Sequence, residues 1–344
     1  MPVAKVVMGV EVGGTNTEFG FVDRHGNCLK SMIIPTNAYQ PADVFFERLG
    51  VRARTLFSEL EGKFELAGIG LGAPNANYYR GTIECPPNLS WEYVDVLAEI
   101  GKYFSVPVAA TNDANATALG EMFFGAAQGM KNFIVITLGM GLGSGIVSRG
   151  EIVYGADGFA GEIGHTIVYP NGRECACGRR GCLETYASIN GIRRTIQELM
   201  CQSLEPSRLR SVSYDMLNSK MIIEAAQRGD RLALEAFEYT GKILGMKLAD
   251  AVAHFSPEAI ILFGELADAG DLIFKPTKHS MEEHLFGIFK DKVQLIPSNL
   301  RSGNLAVLGA SALIWNDLEK NSANRCVCNE ELDKSTMNIS LPYV

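Results

Sequence analysis

Between Gly161 and Glu184 the chain reads GEIGHTIVYPNGRECACGRRGCLE, where one histidine and three cysteines stand at metal-ligand spacing. His165, Cys175, Cys177 and Cys182 offer one nitrogen and three sulfurs. Such a set closes a tetrahedral zinc site and leaves no position open for a catalytic water. Gly172, Gly178 and Gly181 supply the turns that wrapping a metal requires. The expected zinc is therefore structural, but its surroundings are chemical. Glu162 precedes His165 by three residues, which puts both on one face if they share a helical turn, and Glu184 follows Cys182 by two. A histidine that gives one nitrogen to zinc has its other N–H fixed in direction and offered to an acceptor. The acceptor expected here is a substrate hydroxyl, with Glu162 and Glu184 accepting from neighbouring hydroxyls.

A second candidate is the pair Asn112-Asp113, at the junction of VPVAAT and NDANATALGEMFFGAA. An aspartate after a strand and before a helix is as good an N-cap as a general base, and the residue types alone leave both readings open. Two glycine-rich turns, EVGGTNTEFG and TLGMGLGSGIV, form the third. Glycine there lets backbone amides approach an anion, because no Cβ intervenes and positive φ is available. Neither turn is a Walker loop, since no GK[ST] follows. Nor is either a dinucleotide fingerprint: Ser144 stands where a third glycine is needed after Gly139 and Gly141. Tight β-turns are the plainer account of either turn alone, and their repetition favours phosphate.

The elements that must position these residues are legible in outline. Three antiparallel strands are expected at Val6–Val12, Thr17–Val22 and Cys28–Ile34, punctuated by Gly13-Gly14 and His25-Gly26-Asn27. A helix follows over Pro41–Glu61, then a buried strand in LAGIGLGAP, a helix around Tyr93–Tyr103, the strand VPVAAT and a helix from Asn112. NFIVITLGMGLGSGIVSRGEIVYG then repeats strand, Gly-rich turn, strand, tight turn, strand, so two similar α/β lobes are implied. The rest is helical, most clearly over Arg231–Phe255, with strands in EAIILFGELADAG and KVQLIPS and a final apolar helix in NLAVLGASALIW. The polar tail from Asn321 to Val344, with Cys326 and Cys328, is expected to be partly mobile.

Composition excludes several classes. At 344 residues, 47% apolar and 20% charged, the chain has material for a large core. A formal charge of −8 argues against a partner with a phosphate backbone. Because no apolar run is long enough to span a membrane and Met1 leads straight into a strand-like segment, neither a membrane partner nor a secretory route is expected. The cytoplasm is the expected compartment, and there clustered thiols are metal ligands more often than disulfides.

GVEVGGTNTEFGFVD resembles the first phosphate loop of sugar kinases with the actin-like, duplicated ribonuclease-H-like fold. Together with TLGMGLGSGIV and the cysteine stretch, it is similar to the ROK family (repressors, open reading frames and kinases), over most of the chain to about Trp315. The resemblance implies an α/β chain of two such lobes with the active-site cleft between them. They would be residues 1–117 with 303–344, and residues 118–302 with the zinc loop. It implies transfer of phosphoryl from ATP, with magnesium, to the 6-hydroxyl of a hexose, glucose first. The alternatives are an N-acetylhexosamine, allose or fructose kinase, or a non-catalytic sugar-sensing regulator. Asp113 would be the base, and Asn88, Asn112, Asp113, Glu162, His165 and Glu184 would hold the sugar. Glu11, Gly13, Gly14, Thr15, Thr137, Gly139, Gly141, Gly143 and Gly264 would serve ATP and its magnesium.

Three positions depart from the family pattern: Glu11 stands for the usual Asp, Glu265 for the second glycine near the adenosine, and Ser90-Trp91 for Gly-Trp. Only Met1 to Val7 precede the first loop strand, which leaves no room there for a winged helix-turn-helix. A zinc-ribbon interaction protein is opposed by the acidic charge and the paired loops. A homodimer is the default assembly.

Overall fold

The computed structural model describes residues 3–300 and 306–320. These fall into two compact units, residues 3–111 with 306–320 and residues 112–300. The division lies ahead of the helix that opens the second unit, whereas the sequence expectation puts it inside that helix, at residue 117.

The first unit is built on a five-stranded sheet: β1 (Ala4–Val12), β2 (Asn16–Val22), β3 (Cys28–Pro35), β4 (Phe64–Gly72) and, after a short three-stranded sheet, β8 (Val108–Thr111). The strand order is β3-β2-β1-β4-β8, with β1, β2 and β3 antiparallel and β4 and β8 parallel to β1. β1 is buried on both faces from Val6 to Val10, which is why its sequence is nearly continuous in apolar residues. Met8 and Val10 pack with Phe19, Phe21, Phe45 and Phe46, the last two from α1 (Ala42–Ser58). The opposite face receives the helix over residues 306–320. A Cβ on Gly9 would lie 2.2 Å from the Val307 carbonyl oxygen and one on Gly70 1.9 Å from that of Ala310, so these positions must be glycine for the helix to sit on the sheet.

The small sheet is formed by β5 (Ala76–Asn77), β6 (Thr82–Glu84) and β7 (Tyr93–Asp95), and α2 (Val96–Gly101) follows it directly. The helix expected around Tyr93–Tyr103 therefore starts later, at Val96. Its first residues are paired as strand, and the Asp95 side chain caps it by accepting from the Ala98 N–H.

The second unit repeats the first. Its sheet consists of β9 (Phe133–Leu138), β10 (Leu142–Ser148), β11 (Glu151–Ile152), β12 (Ala259–Phe263) and β13 (Gln294–Pro297), in the order β11-β10-β9-β12-β13. The antiparallel and parallel pairings recur in the same sequence. This doubling is the two-lobed α/β arrangement that the repeated strand pattern implies, and it agrees with the ribonuclease-H-like fold that the resemblance implies.

Around it lie α3 (Asp113–Phe124), α4 (Ile189–Gln202), α5 (Ser219–Gln227), α6 (Arg231–Phe255) and α7 (Asp271–His284). Ser188, Asn218 and Asp230 cap α4, α5 and α6 with their side chains. The core of this unit runs from Ile134 and Ile136 on β9 through Phe237, Leu244 and Leu248 on α6 to Leu183 and Tyr186 in the cysteine-rich segment. Among the described residues no helix is long and apolar enough to cross a membrane. The tail from Asn321, with Cys326 and Cys328, lies outside the described residues.

Candidate functional site

In the first unit the β1–β2 turn is held as a tight hairpin. The Gly13 N–H donates to the Asn16 carbonyl (3.0 Å), the Thr36 hydroxyl donates to the Gly13 carbonyl (2.7 Å) and the Thr36 N–H to the Thr15 carbonyl (2.8 Å). Asn88 closes over the turn: a Cβ on Gly14 would meet its Cβ at 3.0 Å. Glu11, Gly13, Gly14, Thr15 and Asn88 are thus brought together. Glu18 joins them without any sequence signal, because it stands directly across from Glu11 in the β1–β2 register.

The second unit gathers the remaining candidates. Asn112 accepts from the Ala114 N–H (2.9 Å) and is the N-cap of α3, while Asp113 is the first residue inside the helix. The capping role that Asp113 could have filled therefore belongs to its neighbour. One Asp113 oxygen also accepts from the Ala114 N–H, at 2.8 Å. Burial raises the pKa of this carboxyl, and the hydrogen bond only partly opposes that. Its place is set by packing: the Ala114 carbonyl and Ala118 side chain lie over Gly145, and Ala114 lies over Gly143, so the start of α3 rests on β10.

Glu162 and His165 do share a turn. Residues Ile163–His165 form a 3-10 turn with Glu162 at its start, and the His165 N–H donates to the Glu162 carbonyl (3.1 Å). Eclipsed i, i+3 positions put both side chains on one side. Desolvation raises the Glu162 pKa, His165 lowers it, and the charges of Asp113 and Glu184 raise it further. These four groups therefore lie within electrostatic reach of one another.

Glu184 is carried by a second 3-10 turn, Leu183–Thr185, pinned by fully buried Leu183. That burial is worth about 2 kcal/mol. One Glu184 oxygen accepts from the Leu142 N–H (3.0 Å), and the other lies 3.8 Å from the Cys175 sulfur.

Of the glycines expected at ATP, only Gly264 has positive φ, at 100°. All the others but Gly139 serve close approach. A Cβ on Gly143 would sit 2.8 Å from the Thr137 hydroxyl, which accepts the Gly143 N–H. A Cβ on Gly141 would sit 2.4 Å from a Glu184 carboxylate oxygen, whereas one on Gly139 would meet nothing within 4 Å. Gly139 thus presents an open face, while Gly141 makes room for a carboxylate of its own chain.

His165, Cys175, Cys177 and Cys182 bring one ligand atom each to within 4.8 Å of one another. The Cys175 sulfur is 3.7 Å from His165 Nδ1 and the Cys177 sulfur 3.6 Å from that of Cys182. A tetrahedron with zinc–sulfur and zinc–nitrogen bonds of ordinary length has edges of about 3.6 to 3.8 Å, so the set fits the metal. Gly178 and Gly181, with φ of 83° and 78°, make the turns between ligands. Arg179, which no sequence signal singled out, donates to the His165 carbonyl (2.9 Å). Burial works to raise the Cys177 pKa, but hydrogen bonds from Arg179 and the two neighbouring thiols bring it down to about 6. A thiolate is the form a metal binds.

A profile of the ROK family matches residues 7–317. A glucokinase of Halalkalibacterium halodurans is 35% identical over 322 residues, covering 91% of this chain and 97% of its own. The ROK family glucokinase of Streptomyces griseus, solved with glucose and AMPPNP, is 32% identical with a TM-score of 0.75, covering 90% of this chain and 98% of its own. A ROK family transcriptional regulator homologous to the E. coli MLC protein is 28% identical with a TM-score of 0.82, covering 90% and 78% respectively. On the profile match, with the doubled sheet topology and the cysteine-rich loop beside Glu162 and Glu184, the chain belongs to the ROK family.

Proposed function

We propose that the protein is an ATP-dependent hexose kinase of the glucokinase type, phosphorylating the 6-hydroxyl. The observation that carries this is the position of Asp113. It is released from capping by Asn112, raised in pKa by burial, and within electrostatic reach of Glu162. A carboxylate of that kind takes a proton readily from a hydroxyl as its oxygen attacks phosphorus. Glu162, Glu184 and the Nε2 of His165 orient the sugar through its other hydroxyls, since His165 turns Nδ1 toward the cysteines. As the new phosphorus–oxygen bond forms, the bridging bond to ADP breaks. The likeness to the Halalkalibacterium and Streptomyces glucokinases supports glucose as first substrate. Likeness to the transcriptional regulator supports a second reading, sugar sensing without turnover. Steady-state kinetics with ATP on glucose, N-acetylglucosamine, N-acetylmannosamine, allose and fructose, beside a DNA-binding assay, separate the two. Sugar-dependent ADP release is expected, and DNA binding without turnover would reverse the conclusion.

Zinc would be held by His165, Cys175, Cys177 and Cys182 in a closed site, where it supplies rigidity to His165 and no reactive water. Magnesium would neutralise charge on the transferring group. Glu11 and Glu18 stand in register on adjacent strands beside the glycine turn, and carboxylate oxygens are the donors magnesium takes. Glu11→Ala is therefore expected to raise the half-activating magnesium concentration several-fold at saturating ATP and sugar. An unchanged magnesium titration would exclude a metal role.

Gly141 is expected at ATP, but its closeness to the Glu184 carboxylate supports a role on the sugar side. The added methyl of Gly141→Ala meets only the mobile end of Glu184, so the fold survives while the carboxylate leaves the Leu142 N–H. The sugar KM should rise about tenfold or more and the ATP KM change less than about twofold. A larger effect on ATP would return Gly141 to the nucleotide.

A further inference from the structure

Arg173 lies between His165 and Cys175, in the polar stretch PNGRE where a solvent-exposed side chain would be ordinary. Its side chain is instead only 9% exposed. Nε donates to one Glu198 oxygen (3.0 Å) and NH2 to the other (2.6 Å), a bidentate pair. NH2 also donates to the Thr195 hydroxyl (3.0 Å), and NH1 donates to the carbonyls of Thr185 (2.8 Å) and Gly191 (3.0 Å). All the N–H groups of a guanidinium are accounted for by this set. The guanidinium carbon lies 4.6 Å from the centre of the Tyr186 ring. The main chain adds two ties: the Arg173 N–H donates to the Tyr186 hydroxyl (3.0 Å), and its carbonyl accepts from the Gly181 N–H (2.7 Å).

These contacts converge on one short segment. Gly181 precedes the ligand Cys182, Thr185 follows Glu184, and Tyr186 ends the 3-10 turn that carries Glu184. The other contacts, Gly191, Thr195 and Glu198, lie on α4. We infer that Arg173 positions Glu184 for the sugar, clamping the Gly181–Tyr186 segment against α4 independently of any metal. The role of Glu184 rests on the kinase reading; the clamp is a matter of geometry. Lysine cannot replace it, because a single ammonium has three donors and no planar fork.

The test compares Arg173→Lys and Glu198→Gln with the wild-type protein. The readouts are zinc content, thermal midpoint, sugar binding by calorimetry, ATP binding measured without sugar, and the separate KM values. Both variants are expected to keep zinc and fold. The sugar KM should rise about tenfold or more for Arg173→Lys and less, in the same direction, for Glu198→Gln, with ATP affinity within about twofold. Zinc retained with sugar affinity lost separates the clamp from the metal site. The assignment is overturned by an Arg173→Lys protein with unchanged sugar affinity or by parallel loss of sugar and ATP affinity. It is equally overturned by an Arg173→Lys protein that does not fold beside a Glu198→Gln protein with normal sugar binding. A wild-type protein that binds none of the five sugars overturns the kinase reading and this assignment together.

Discussion

Asp113→Asn is expected to lower kcat by about a hundredfold or more while the thermal midpoint at neutral pH stays equal or rises. The first half follows from removing the proton acceptor. The second follows from linkage. Burial raises the folded-state pKa of Asp113 above that of an unfolded aspartate, about 3.9. A group shifted that way contributes stability that is full below the unfolded pKa and is lost as pH rises through the folded one. At neutral pH the wild-type carboxylate is therefore a cost that asparagine removes. The amide oxygen of asparagine can still accept the Ala114 N–H, and Asn112 remains the cap. A variant that loses activity because it melts early would return Asp113 to a structural role. The same pKa predicts that the acid limb of kcat/KM lies above the ordinary aspartate range, since the base works only when ionised. A rate independent of pH down to that range would contradict it.

Sequence patterns carried the sheets well and the site unevenly, for physical reasons. β1, β2 and β9 bury enough apolar surface to show in composition, and α6, 25 residues long, repeats its stripe often enough to be read at both ends. β5, β6 and β7 have two or three residues each, too few for a period of two to appear, so β7 was absorbed into the helix after it. The cluster of His165, Cys175, Cys177 and Cys182 was legible because cysteines at such close spacing are a recognisable pattern on their own. Arg173 and Glu18 were not, because their roles depend on register and on what folds over them. Gly141 was legible as a glycine that matters, but which group fills the space its missing Cβ leaves is decided by Glu184, 43 residues further along the chain.

The residues that would hold a metal and those that hold the loop are different, which makes Cys177→Ser informative. Cys177 is exposed, whereas Cys175 and Cys182 are buried, so serine in its place removes a ligand while disturbing little packing. A serine hydroxyl does not replace a thiolate at zinc, and zinc is expected to be lost from the purified variant. Leu183 and Tyr186 remain in the core and Arg173 still grips Thr185, so Glu184 should keep its place. His165 does not have that support. Its Nδ1 faces Cys175 at 3.7 Å, a contact that orients the ring only while a metal joins the two, so Nε2 should lose its direction toward the sugar. The sugar KM should rise about tenfold to a hundredfold, the usual cost of losing such support, while ATP binding without sugar changes little. Arg173→Lys should weaken sugar binding too but with zinc kept, so zinc content is what tells the two variants apart. A zinc-free Cys177→Ser protein with normal sugar affinity would make the cluster a remote staple. Equal loss of ATP and sugar binding would mean that the metal holds up the whole unit.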